Sequence, residues 1–381
     1  MSSDTQTSSA LWLKRLVVLA VFFALARSFL PPNSFNATVM IFDYEFGFTR
    51  RGLIGELGNF YWGATVSKAE IFVASAVITL IGLMTFLTLF WRRLAGSEAG
   101  LRLLLVIVTC FAFDAVIAAT GYLDLLIIAL LSLGAATSPK STLGVAARCA
   151  AVGIAILIHE VALPYIAVFL VFDLWNARRD LLSALPLGLG LAVFASLTLW
   201  GQFSPEEAVE YIAYIEEKSE FTAEPEATIV VERNLSQNLN MMAEKRRSIG
   251  YQSWVVFDGI PLLLLAAWVL WLNVKVAGPS LTPLSSVLLL GAILAPLSLN
   301  IIAFDVVRFG AMSVIIGFFS LLVFLRDVPE AQARLANTLT WPTVIVVVVI
   351  SLNVTVTQMN IGTGDEFQFP RVLLKQLEWL Q

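Results

Sequence analysis

The charged residues of this chain that are best placed for chemistry lie in one short segment, residues 43–56. It reads Asp-Tyr-Glu-Phe-Gly-Phe-Thr-Arg-Arg-Gly-Leu-Ile-Gly-Glu and directly follows the first long apolar run. It supplies three carboxylates, Asp43, Glu45 and Glu56, and two adjacent guanidiniums, Arg50 and Arg51. Charge at the edge of a membrane is costly, so a functional role is the first interpretation of this segment.

The glycines of the segment favour an anion as its ligand, because glycine lets backbone amides approach a phosphate closely. These glycines are Gly47, Gly52 and Gly55. The alternative is structural. Asp43 would then cap an interfacial helix, and the two arginines would extend to lipid phosphates, as basic residues near membrane edges do.

The elements that must position this segment are membrane helices. Hydrophobic residues make up 58% of the chain and charged residues only 14%, whereas roughly a quarter of the residues in soluble proteins are charged. We therefore predict an all-α, polytopic transmembrane helical bundle that forms a single domain, residues 1–381. Runs of about 20 apolar residues predict about eleven spans. These are residues 12–30, 70–91, 102–119, 122–137, 143–159, 161–176, 181–202, 253–273, 281–303, 307–325 and 341–357.

The basic residues in short loops predict the orientation, since lysine and arginine favour the cytoplasmic side. These basic residues fall at every second junction between spans. This pattern predicts a cytoplasmic N-terminus and an external C-terminus in a multi-pass protein of the inner (plasma) membrane. Residues 31–69 and 203–252 are then external loops, and Arg50, Arg51 and Lys68 violate the rule. The second loop is acidic, with ten Glu against five Lys and Arg, and its Ser204-Pro205 cap predicts a surface helix over residues 206–220.

Laying out this topology brings further ionisable residues to the same membrane face, which predicts a single site there. They are Asp124, His159, Glu160, Asp305 and Arg308. Each also has a structural interpretation: Asp124 as the N-cap of the fourth span, Asp305 and Arg308 as a plain ion pair, and the lone histidine as a core residue.

Other classes of site find little support in the sequence. It has no Walker loop, no dinucleotide motif and no His and Cys cluster with ligand spacing, so we predict no metal centre. The spacing of Asp43 and Glu45 would allow a divalent ion, on weak grounds. The net charge of -4 and the lack of a basic face argue against a nucleic-acid partner.

Several of these features resemble the membrane-embedded GT-C glycosyltransferases. They are the acidic residue soon after the first span, the Gly-Tyr-Leu-Asp sequence that ends at Asp124 and the odd number of spans. The pattern Asp-Tyr-x-Phe-Gly-Phe-x-Arg-Arg-Gly-Leu-x-Gly with a later His-Glu is also similar to uncharacterised bacterial envelope-polysaccharide membrane proteins.

The resemblance implies transfer of a sugar from a polyprenyl-phosphate donor to a lipid-linked or envelope glycan at the external face. Asp43 would match the general base of that family, with Glu45 second. The phosphate leaving group needs fixed cations, and Arg50, Arg51 and Arg308 are the candidates. His159 would hold the phosphate or orient the acceptor, and Asp124 or Glu160 would hydrogen-bond the sugar.

Other functions stay open at the level of sequence. A polysaccharide polymerase of the O-antigen or exopolysaccharide type also joins polyprenyl-linked sugars outside the cell. A transporter or flippase of lipid-linked glycans would place its charges nearer the bilayer midplane. A membrane acyltransferase with His159 as base lacks a nucleophile pattern, and a structural subunit would leave the convergence of charges unexplained.

Overall fold

The computed structural model of the protein describes residues 3–354, except for residues 64 and 304. These residues form helices joined by loops, with no strand among them. Residues 355–357 of the last predicted span, and the predicted external C-terminus, lie outside the described residues. The prediction of an all-helical membrane protein is confirmed at this coarse level.

The chain order of the helices follows the predicted spans, with shorter helices in the loops. The first ten are α1 Ser3–Ser28, α2 Ser34–Met40, α3 Gly52–Gly58, α4 Lys68–Leu94, α5 Glu98–Thr109, α6 Phe111–Ala118, α7 Asp124–Ala136, α8 Thr142–Ile158, α9 Val168–Arg178 and α10 Leu185–Trp200. The others are α11 Pro205–Glu217, α12 Ile229–Glu232, α13 Leu235–Lys245, α14 Ile249–Trp254, α15 Ile260–Ala277, α16 Pro283–Ser298, α17 Val306–Asp327, α18 Ala331–Thr338 and α19 Trp341–Asn353.

Five helical stretches are long and apolar enough to cross a membrane. They are Lys68–Leu94, Leu181–Trp200, Ile249–Ser280, Pro283–Ile301 and Val306–Asp327. The count rises to seven if two bent pairs, α5 with α6 and α18 with α19, are each one span; the bends are 49° and 68°. α7 and α8 are apolar but shorter. The predicted number of about eleven spans is therefore not confirmed.

The helix α17 forms the centre of the bundle. Its residues from Val306 to Phe324 are all buried, and it packs against α6, α9, α15 and α16. A helix that is apolar on every side is stable only when neighbours surround it. The charged Arg308 lies in its first turn, so the most buried helix of the bundle also positions one of the predicted site residues.

The two loops predicted to be external fold together into one small layer, which we call the cap (residues 31–69 and 203–232). Its own apolar core includes Phe42, Trp62, Val66 and Tyr211. A parallel bridge joins Val66 to Ser219, since the Val66 N–H donates to the Lys218 carbonyl at 2.7 Å. The remainder of the second loop, residues 233–252, packs on the start of α17 through Met242 and Tyr251.

The predicted surface helix of the second loop is present as α11. It begins at Ser204, whose side chain accepts the N–H of Glu207 while the Glu207 side chain accepts the N–H of Ser204. Proline at the first helical position is already set for helix entry. The helix ends at Glu217, three residues earlier than the predicted range, and Lys218 occupies its C-cap.

Candidate active site

Asp43 is buried in the cap, with only 1% of its area exposed. Its Oδ2 atom accepts hydrogen bonds from the Tyr214 hydroxyl at 2.9 Å and from the Asn59 amide at 3.2 Å. The Lys218 ammonium forms an ion pair with the same oxygen and also contacts the Asn59 carbonyl. We call these residues, together with Tyr211, the Asp43 group.

Tyr211 fixes the backbone of Asp43. Its hydroxyl accepts the Asp43 N–H at 2.7 Å and donates to the Asp43 carbonyl at 2.9 Å. The Tyr211 ring is held in turn by the rings of Phe42, Phe46 and Phe203, with centroids 5.1–5.3 Å away. A buried hydroxyl with two good partners on one residue leaves that residue little freedom. The carboxylate of Asp43 is therefore held in one position.

The surroundings of Asp43 keep it ionised. Burial raises the pKa of this carboxyl, but the hydrogen bonds from Lys218, Asn59 and Tyr214 lower it by more, so the pKa lies below 3.8. The pKa of Tyr214 is raised, first by burial and then by its hydrogen bond to Asp43, so this phenol stays a donor. Asp43 is thus a charged carboxylate with a cation already in contact.

A second set of charged side chains surrounds Arg308, where the ends of three helices meet. The guanidinium donates to Asp124 through Nε at 2.7 Å and through Nη2 at 3.2 Å. Its Nη1 donates to Asp305 at 2.6 Å. Arg308 and its two carboxylate partners stabilise one another, because a buried charge without a partner is costly.

This set continues from Arg308 through His159 to the first loop. The Arg308 Nη2 lies 3.3 Å from the His159 Nε2, and the His159 Nδ1 lies 3.3 Å from a Glu160 oxygen. Glu160 accepts both Nε and Nη2 of Arg51, at 3.2 and 2.8 Å. We call the six residues Arg51, Asp124, His159, Glu160, Asp305 and Arg308 the Arg308 group.

The contacts of His159 favour one neutral tautomer, although the Val161 N–H also lies 3.4 Å from Nδ1. A guanidinium has only donors, so the His159 Nε2 that faces it must carry the lone pair and Nδ1 the hydrogen, next to Glu160. The imidazole is then neutral, and its one lone pair is already used. His159 connects the two guanidiniums of the group and, in this arrangement, has no free lone pair for a substrate proton.

Two structural interpretations made from the sequence need correction. Asp124 is not the N-cap of its helix: Leu123 has that position, with a left-handed backbone, and the Asp124 carboxylate pairs with Arg308. The ion pair of Asp305 and Arg308 exists, but Arg308 also binds Asp124, so the pair is part of a larger network.

Arg50 is arranged differently from Arg51. Its Nη1 donates to the carbonyl oxygens of Arg233 at 2.8 Å and Val230 at 3.4 Å. Within the described part of the chain, its guanidinium makes no ion pair with a carboxylate. Carbonyls leave the net positive charge in place, so Arg50 is the arginine of the segment best able to attract an anion.

Glu45 and Glu56 are the remaining candidates of the segment. Glu45 is exposed, and its backbone N–H donates to Asp43 at 3.2 Å. Glu56 accepts the backbone N–H of Tyr44 at 3.3 Å and thereby ties α3 to the preceding loop. The Lys218 ammonium contacts one of the Asp43 oxygens that a divalent ion bridging Asp43 and Glu45 would use. The described residues also contain no group of three or more His, Cys, Asp or Glu able to hold a metal ion.

The glycines at positions 52 and 55 serve close packing rather than access for a phosphate. A Cβ on Gly55 would lie 2.2 Å from the Phe42 carbonyl oxygen, and one on Gly52 would lie 2.5 Å from the Tyr44 ring. The space in front of both is therefore filled by the protein. Gly47 has open space around it and a φ of 107°, a turn conformation that other residues rarely adopt.

The structure thus gathers the predicted residues into two groups, and it adds four residues that the sequence analysis missed: Asn59, Tyr211, Tyr214 and Lys218. A signal for three of them was present. Tyr211, Tyr214 and Lys218 are spaced i, i+3 and i+7, which places them on one face of an amphipathic helix. Lys218 is also a rare base in an acidic loop.

No family model, curated protein or solved structure matches this chain. The functional argument therefore rests on the two groups of side chains. Both carry ionised residues that are held in place by hydrogen bonds. The Asp43 group lies within the cap, and the Arg308 group joins the cap to the helix ends through Arg51.

Proposed function

We propose that the protein is a membrane glycosyltransferase. It would transfer a sugar from a polyprenyl-phosphate donor to a lipid-linked or envelope glycan acceptor at the external face of the inner membrane. The observation that carries the proposal is the Asp43 group, which places a charged carboxylate of the first loop beside an ammonium of the second loop. Transfer from a phosphate donor requires both a base and a cation.

The proposed topology has about eleven spans, an internal N-terminus and the cap outside. Each of the eleven predicted ranges is mostly helical over its described part, which supports this count. Basic residues also end several helices at the side opposite the cap: Arg92 and Arg93 in α4, Arg178 in α9 and Arg326 in α17. This distribution favours a cytoplasmic location for that side.

In the proposed reaction, the acceptor hydroxyl oxygen bonds to the anomeric carbon of the donor sugar. The bond from that carbon to the phosphate oxygen breaks, and polyprenyl phosphate leaves with the electron pair. Asp43 takes the proton of the acceptor hydroxyl. Lys218 and Arg50 are the cations available to stabilise the negative charge that develops on the phosphate.

Lys218 has a second effect in this proposal. While its ammonium contacts Asp43, the carboxylate is a weak base, because its pKa is held low. Binding of the donor phosphate would attract the ammonium away from Asp43, and the basicity of the carboxylate would then increase. Lys218 has some contact with solvent and needs only side-chain rotation for this exchange. The base would therefore become active only when the donor is present.

A reconstitution assay tests the proposal. The protein in liposomes is supplied with radiolabelled polyprenyl-phosphate hexoses and with lipid-linked glycans as acceptors. We expect the label to move to the acceptor and free polyprenyl phosphate to appear in equal amount. Movement of the intact lipid-linked sugar across the bilayer without covalent change would instead indicate a transporter and overturn the proposal.

A further inference from the structure

The Tyr165 hydroxyl is a buried polar group with no hydrogen-bond partner among the described residues. The side chain is fully buried in the π-helical turn Leu163–Ala167, which follows His159 and Glu160. Its ring lies 6.4 Å from that of Phe309, the residue after Arg308. Most buried hydroxyls in native structures have a hydrogen-bond partner. A buried hydroxyl without one needs an explanation, and a bound ligand or water would provide it.

Tyr165 lies beside the Arg308 group, because the turn that carries it packs against α17 and its ring lies near that of Phe309. Asp124, Arg308 and Asp305 are within electrostatic range of its hydroxyl. On another side the guanidinium of Arg308 stacks over the Tyr122 ring, 3.9 Å from its centroid. The group therefore combines an aromatic ring, one face of which is covered by the guanidinium, with carboxylates and a hydroxyl that has no partner among the described residues. This is the chemistry that recognises a polyhydroxylated ring.

The charge of the Arg308 group argues against a phosphate there. Its two guanidiniums face three carboxylates, so with a neutral His159 the formal charge is negative. Both guanidiniums are already paired with carboxylates. An anion would have to displace these partners, whereas the hydroxyls of a neutral ring can donate to the remaining carboxylate lone pairs. Asp305 and Glu160 are each about one-fifth exposed and form the accessible side.

We propose that the Arg308 group with Tyr122 and Tyr165 binds the neutral sugar ring, and that the phosphate binds elsewhere, at Lys218 and Arg50. This inference rests on the proposed function for its substrate class, and it reassigns Arg51 and Arg308 from the phosphate to the sugar. Tyr165 supplies the hydroxyl at the floor of the site, which pairs with the ring directly or through one water. The ring belongs to the donor or to the acceptor.

The first experiment measures binding without turnover. The protein in nanodiscs is heated with octyl glucoside, octyl galactoside, octyl mannoside or octyl phosphate, each below its micelle-forming concentration. We expect at least one glycoside to raise the unfolding temperature of the wild type but not of Tyr165→Phe. If none of the three glycosides stabilises the wild type, or if each one that does stabilises Tyr165→Phe equally, the inference is overturned.

Two further variants make this result specific. Tyr61→Phe removes an exposed hydroxyl of the cap, outside both groups, and should keep the full effect of the glycoside. Tyr165→Phe should unfold at the wild-type temperature in the absence of sugar, because the Tyr165 hydroxyl has no partner among residues 3–354 as described. A large loss of stability in this variant would show that the hydroxyl has a structural role and would contradict the inference.

Kinetics then identify the source of the ring. Loss of one neutral hydrogen bond corresponds to a rise of about threefold to tenfold in KM, and kcat should change less. A rise in the donor KM assigns the ring to the donor, and a rise in the acceptor KM assigns it to the acceptor. If the glycosides bind as expected but no transfer occurs, the sugar site stands and the proposed transferase function fails.

Discussion

At the scale of the residue, the site depends on which charges are already paired. Arg51 and Arg308 are bound by carboxylates, whereas Arg50 donates only to carbonyls in the described structure. The sequence alone does not distinguish these three arginines, but their surroundings in the structure differ. A paired guanidinium contributes little net field at a distance, so the three should respond differently to substitution.

The Arg50→Gln variant tests this difference. We expect the donor KM to rise about tenfold, as for loss of a hydrogen bond to a charged group, with little change in unfolding temperature. Arg308→Gln, in contrast, leaves Asp124 and Asp305 buried without a partner and should cost about 3–5 kcal/mol of stability. Thermal unfolding and donor titrations measure both effects. An Arg50→Gln enzyme with unchanged donor KM would remove Arg50 from the phosphate site.

Lys218→Gln tests the ion pair of the Asp43 group through its pH dependence. Because the folded pKa of Asp43 is below 3.8, its ionised form contributes stability above the ordinary pKa, and this contribution is lost as the pH falls through the folded value. Without Lys218, burial is opposed by fewer hydrogen bonds, so the pKa of Asp43 rises. We expect the acid loss of unfolding temperature to begin at a higher pH in the variant.

The unfolding temperature is measured between about pH 3 and pH 7, a range that covers the ordinary pKa of an aspartate. Lys68→Gln, which removes a lysine of the same cap, is the matched control and should follow the wild type. Identical acid curves for Lys218→Gln and the wild type would show that Lys218 does not hold the pKa of Asp43 low.

At the scale of the element, α3 is the connection between the two groups. It follows Arg51 directly and precedes Asn59, so one residue of the Arg308 group and one of the Asp43 group lie at its two ends. It also packs against α8, which ends at His159. The close approach of Gly55 to the Phe42 carbonyl sets the distance of α3 from the loop that carries Asp43.

A Gly55→Ala substitution should therefore affect both groups. The added methyl would lie 2.2 Å from a carbonyl oxygen, which forces α3 outward and should cost about 1–3 kcal/mol. We expect a lower unfolding temperature and reduced transfer. Gly96→Ala has open space around it and should leave both unchanged. Equal unfolding temperatures and transfer rates for the two variants would show that the position of α3 does not matter for either group.

The element scale also shows what the sequence could predict. Apolar runs located the helices, and the Ser204-Pro205 cap located α11, because both signals are local. The association of the cap was not visible: Lys218 and Asp43 lie 175 residues apart, and no local pattern links them. The four residues of the Asp43 group that were missed all belong to this long-range contact. The pairing of Arg51 with Glu160 was hidden for the same reason.

At the scale of the whole molecule, the proposal requires the cap to lie outside the cell. The tip of the cap exposes Phe60 and Tyr61, with 87% and 70% of their areas accessible, while the segment at Gly96 lies at the far end of α4. Aromatic residues of this kind are typical of membrane–water interfaces. The two positions should therefore face opposite sides of the membrane.

Cysteine labelling measures this orientation. In a Cys149→Ser background, with Cys110 buried, we expect Phe60→Cys to react with an impermeant maleimide in intact cells. Gly96→Cys should react only after the membrane is opened. Labelling of Gly96→Cys in intact cells would show that the topology is the reverse of the proposed one, with the site on the cytoplasmic side.

The most direct test of the central claim, that Asp43 is the base of a glycosyl transfer, is the transfer rate of Asp43→Asn. Asparagine keeps the size of the side chain and can still bond to Asn59 and Tyr214, but it cannot take a proton. We expect transfer to fall by at least about a hundredfold, as for loss of a general base. Glu217→Gln is the control. It removes the charge of the residue before Lys218, at the end of α11, and should keep the wild-type rate. A folded Asp43→Asn protein with full transfer activity would contradict the account.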